Sequence, residues 1–86
     1  LSDRLIGVDS SSLAIEIELP SSAIPLFNVN TSQIYIIKDE TGNAGLNNIT
    51  LITEGSETID GLASQIINTN FGSIGVYTDG TDWFTV

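Results

Sequence analysis

The stretch IYIIKDETGNAGLNNITLIT, residues 34–53, decides the fold class. Its two ends, residues 34–38 and 49–53, are β-branched and strongly apolar. The ten residues between them hold two Gly, three Asn and two acids. β-Branched side chains suit a pleated, buried surface, while Gly, Asn and Asp suit turns. The stretch therefore reads as a strand, a polar loop and a strand. Ile34 and Ile36 fall on one face of the first strand, with Tyr35 and Ile37 on the other; Ile49 and Leu51 oppose Thr50 and Ile52 in the second. Strands apolar on both faces are covered on both faces. With no helix-length apolar pattern to supply the cover, another subunit is expected to do so, and Tyr35, Ile37 and Ile52 are the candidate interface residues.

The same pattern continues outward. Upstream, Leu13, Ile15, Ile17 and Leu19 alternate with Ala14, Glu16 and Glu18, a half-buried strand with its acids toward water, which Pro20 ends. Residues 1–7 show no clear period and are open between a linker, a first strand and the end of a preceding stalk, so the β-domain is placed at residues 8–86. Residues 21–32 are irregular, with room for one helical turn around residues 23–27. Downstream, residues 58–61 enter an Asp-Gly turn, residues 63–68 and 73–78 read as strands, and Asp79 and Gly80 begin a last hairpin that returns through Trp83 and Phe84. Six to eight strands at intervals of about 8–12 residues predict an all-β fold, a small antiparallel β-sandwich or barrel.

Totals narrow the function. Eighty-six residues make one domain, and a monomer of that size buries only about 60% of its unfolded surface. There is no Cys to staple it, and the 41% hydrophobic content leaves apolar surface for a partner. Two basic residues against 11 acidic ones give a formal charge of −9, which repels phosphate backbones and anionic membranes. Neither nucleic acid nor membrane insertion is expected. No apolar run reaches a membrane span. The chain opens on LSDR without Met, which suggests a piece of a longer parent.

Without His or Cys, a Ser–His or Cys–His nucleophile is excluded. Glu16 and Glu18 lie about 6.6–6.8 Å apart along one strand face, near the separation glycoside hydrolysis uses, but alternating Glu is also the ordinary way to solvate a strand. Asp39, Glu40 and Asn43 share one loop, Glu54 and Glu57 another, Asp79 and Asp82 a third. These are oxygen ligands of the kind Ca²⁺ takes, yet none has EF-hand spacing, and turn formation accounts for them. No metal, cofactor or catalytic residue is expected. Tyr77 and Trp83 flank the last hairpin, where they can pair across it, and are the candidate receptor or glycan contacts. Trp83 and Phe84 point to opposite faces, so at least one belongs to the core.

Taken in order, VDSS (8–11), AIEIELP (14–20), IYIIKDETGNA (34–44), NNIT (47–50), ETIDG (57–61), FGSIG (71–75) and YTDGTDWF (77–84) resemble a β-domain of bacteriophage and other viral fibres. Such domains form the head or knob repeat of tail and capsid fibres. The resemblance runs from about Val8 to the end; residues 21–30 form a longer excursion than its pattern has, and residues 30–33 lack its Gly-containing turn. It implies a non-enzymatic structural or attachment domain on the virion surface, homotrimeric, in contact with other virion proteins and with a host glycan or protein. The alternative is a monomeric carbohydrate-binding or adhesin module of a secreted bacterial protein.

Overall fold

The computed structural model describes residues 4–19, 34–79 and 81–86. Among these there are seven strands and no helix: β1 (Arg4–Val8), β2 (Ile15–Glu18), β3 (Tyr35–Asp39), β4 (Ile49–Ile52), β5 (Ser64–Ile67), β6 (Ser73–Thr78) and β7 (Trp83–Thr85). One sheet has the order β1-β3-β6-β7, the other β2-β4-β5. The residues left open at the start are a strand from Arg4 onward. The helical turn expected around residues 23–27 lies outside the described residues.

The all-β class holds, but the sheets are mixed where antiparallel pairing was expected. β1 runs parallel to β3, and β2 parallel to β4. β3 with β6, β6 with β7 and β4 with β5 are antiparallel. The cause is the path of the chain: β1 and β3 lie in one sheet, β2 and β4 in the other, so each return to a sheet arrives in the original direction. The strand pair of residues 34–53 is thus no hairpin. Its loop turns back on itself, with the Leu46 and Asn47 amides donating to the Asn43 carbonyl at 3.0 and 2.7 Å, and delivers the chain to the opposite sheet.

Register sets the core. Ile37 is flanked by Ile6 on β1 and Ile74 on β6, and Ile49 by Ile15 and Ile67. Buried residues of both sheets, including Val8, Ile37, Ile49, Leu51, Ile67, Val76 and Trp83, form one cluster closed by Leu19, Ala44 and Ile59. Each large aliphatic side chain so buried contributes about 1.5–3 kcal/mol. Trp83 meets Tyr35 edge-on, with ring centroids 5.9 Å apart. Tyr77 does not pair with Trp83: the hairpin register sets it opposite Phe84, rings 5.7 Å apart, and sets Trp83 opposite Thr78 on the other face.

At the end of the fold away from the residue 40–48 loop, Ile59 and Leu62 exchange two backbone hydrogen bonds, 2.7 and 3.0 Å, around Asp60 and Gly61. Both central residues have positive φ, 53° and 82°, the geometry that makes Asp-Gly the preferred two-residue turn. A β-carbon on Gly61 would meet nothing within 4 Å, so its cost is conformational alone. Gly61→Ala is expected to lose about 1 kcal/mol in urea denaturation, with an unchanged m-value.

Candidate functional site

Three connections gather at one end of the fold: residues 9–14, 40–48 and 68–72. Each joins a strand of one sheet to a strand of the other. What fixes them together is Asp39, the last residue of β3, whose side chain has no exposed surface. Its Oδ1 accepts the Ser10 hydroxyl at 2.8 Å and the Gly42 and Thr41 amides at 3.2 and 3.3 Å. Its Oδ2 accepts the amides of Ala44 at 3.0 Å and Phe71 at 2.9 Å. One carboxylate thereby ties all three loops.

Burial alone would raise the Asp39 pKa. The amides of Ala44 and Phe71, the Ser10 hydroxyl and the Thr41 amide outweigh it, and hold the carboxyl well below its ordinary value of 3.8. Further bonds extend the node. The Ser10 amide donates to Thr41 Oγ1 at 3.0 Å, Asn47 Nδ2 to the Ser10 carbonyl at 2.7 Å, and the Gly45 amide to Asn70 Oδ1 at 2.8 Å. Backbone bonds from Asp39 to Gly72 and from Glu40 to Val8, both 2.9 Å, close the seams between loops.

Phe71 sits on this node in an unusual conformation. Its φ is +61°, a region that costs a residue with a β-carbon, and the residue is 57% exposed. Its ring lies on Gly42, where a β-carbon would come within 2.5 Å of ring atom Cζ. The Lys38 ammonium stands 6.0 Å from the ring centroid and donates to the Phe71 carbonyl. The Asp39 bond to the Phe71 amide holds the backbone in place beneath. The ring is therefore fixed from several sides and still open to solvent.

The residues singled out by sequence do not form one site, although Tyr35 packs on Trp83 and Asp79 accepts the Asp82 amide. Trp83 is 2% exposed and offers no face to a ligand; Tyr77 is half-buried against Phe84. Ile37 is wholly inside the single chain, half-buried Tyr35 shares its inward face and packs on Trp83, and Ile52 is half-buried on the outer face of the three-stranded sheet. Glu16 and Glu18 are both exposed on that same face. Among the described residues no group of three or more acidic side chains is placed to hold a metal ion. Asp79 and Asp82, like Asp39, accept N–H groups: Asp79 takes the Asp82 and Thr81 amides at 3.0 and 2.9 Å, which lower its pKa, and Asp82 takes the Thr58 amide at 3.0 Å.

Sequence reasoning missed Ser10, Gly42 and Phe71 as members of one site. The Thr and Gly that follow Asp39 signal a local Asx turn. Nothing local signals partners 29 and 32 residues away. Comparison of the chain with protein-family models, with curated proteins and with solved structures returns no match.

Proposed function

We propose that the chain is a non-enzymatic structural and attachment domain of the viral-fibre type, displayed on a virion surface, with its three-loop end as the contact surface. The observation that carries the reading is the Asp39 node. A buried carboxylate whose two oxygens accept amide and hydroxyl hydrogens from three loops supports a structural role, the tying of those loops to one another. The resemblance supports the same reading from another side. Ser10, Asp39 and Phe71 come from three separate motifs of the fibre pattern, and these three side chains and amides converge.

In this reading the fold is a β-sandwich whose copies associate as a homotrimer, with other virion proteins as neighbours. The outer face of the four-stranded sheet suits that contact. It carries half-buried Ile34, Ile36, Tyr77 and Phe84 with exposed Leu5 and Val86, and none of these is acidic in a chain of charge −9. Sedimentation equilibrium at micromolar concentration is expected to return three chains per particle. A well-folded monomer there contradicts the trimer. A second reading, a monomeric carbohydrate-binding or adhesin module, draws on the completeness of the single-chain core, in which Ile37, Ile49, Leu51, Ile59 and Val76 have no exposed surface. It predicts that monomer.

A further inference from the structure

We infer that Phe71 is the ligand-contacting ring of the loop end and that its ligand is an uncharged saccharide, an inference that rests on the attachment reading above. The starting point is a residue choice that stability does not explain. At φ +61° Gly or Asn would sit with less strain, and a solvent-exposed phenyl gains little from the core. A second choice accommodates the first, because Gly42, itself at φ +78°, leaves the space the ring occupies. The Asp39 carboxylate then fixes the Phe71 amide and Lys38 caps its carbonyl. An exposed aromatic face held in one orientation binds with little ordering cost.

The chemistry around the ring selects the ligand. Exposed Asn68, Thr69 and Asn70 precede Phe71, and Gly45 and exposed Leu46 lie across from them. Asn70 commits Oδ1 to the Gly45 amide, which leaves Nδ2 as an oriented donor. Lys38 is engaged with Phe71, and the chain as a whole is strongly acidic, so an anionic ligand is disfavoured. A flat apolar face beside neutral amides and hydroxyls matches a sugar ring, whose C–H face stacks on the phenyl while its hydroxyls meet the amides.

The test uses the full chain, labelled with nitrogen-15 and titrated with uncharged gluco-, manno- and galacto-oligosaccharides at millimolar concentrations. Amide shifts confined to residues 42–46 and 68–72 are expected for at least one of them. Phe71→Gly, which suits the backbone, is expected to fold and to lose about tenfold or more in affinity, while Phe71→Tyr retains binding. Wild-type affinity in Phe71→Gly overturns the assignment to this ring and leaves the attachment reading standing. A second arm incubates the chain with a panel of bacterial envelopes before and after periodate oxidation of their glycans. Retention that oxidation abolishes supports the inference. Retention that survives oxidation indicates a protein partner and overturns the saccharide class alone; retention on no envelope overturns the attachment reading as well.

Discussion

Replacing Asp39 by Asn is expected to release the loop end and to lower the thermal midpoint by more than about 10 °C, the largest effect of any isosteric change in the chain. The amide has the shape of the carboxylate but only one acceptor oxygen. Six donors now point at the two oxygens, the amide and hydroxyl of Thr41 and one each from Ser10, Gly42, Ala44 and Phe71. In the variant, an NH₂ group faces either the Ala44 and Phe71 amides or the Ser10 and Gly42 donors, and buried donors are left without acceptors. Amide exchange reports it locally: Ala44 and Phe71 should lose protection before the central strands do. Because Phe71 is held at positive φ by this bond, the variant should also lose the fixed ring.

Acid acts on the same node, in a direction fixed by the lowered pKa. The folded state binds the Asp39 proton less readily than the unfolded state does, so the carboxylate's stabilisation is complete at neutral pH. It is lost as pH falls below the ordinary Asp value of about 3.9 and toward the lower folded value. Asp60, lowered by its bonds to the Thr85 hydroxyl and amide, and Asp79 contribute with the same sign. Stability should therefore hold from neutral pH to about 5 and decline below about 4, and Asp39→Asn should flatten that decline.

Ile37→Ala is the second large effect, and it separates a core residue from an interface residue. Ile37 sits at the centre of the four-stranded sheet with Ile6 and Ile74 beside it and no exposed surface. Truncation of such a side chain costs about 2–5 kcal/mol, against a total of about 5–15 kcal/mol for a domain. The cavity lies within one chain, so the loss should be the same at low and high protein concentration. An interface residue would instead show a loss that is small at low concentration and grows as concentration drives association. Chemical denaturation at two concentrations a hundredfold apart distinguishes the two behaviours.

Much of the strand content was legible because it rests on local chemistry. The β-branched runs at Ile34 and Ile49 are strands in the structure to within a residue, and the alternation around Ile15 and Ile17 buries those two more than Glu16 and Glu18. The Asp60–Gly61 turn was legible for the same reason. Which face of β3 points inward was not. Ile36 and Ile37 are equivalent in sequence, and only the register with β1 and β6 sends Ile37 to the core. Strand direction was also hidden, because residues 9–14 and 40–48 have the composition of turns, which serves a hairpin and a sheet-crossing loop alike. In sequence Asp39 reads as a turn former in a loop with the oxygen ligands a cation takes. Its burial depends on Ser10 and Phe71 arriving from distant loops. The aromatic contact was sought at Tyr77 and Trp83, and the alternation of Trp83 with Phe84 fixes only that one of the two turns inward; among the described residues the exposed ring is Phe71.

A charged, fully hydrogen-bonded Asp39 at the base of the three loops holds the loop end together. Carbon-13 titration of its side-chain carboxyl by NMR tests that most directly. The predicted result is a resonance that stays at its ionised position from pH 7 down through about 3.9, where ordinary aspartates are half protonated. A midpoint at or above that value would contradict the account.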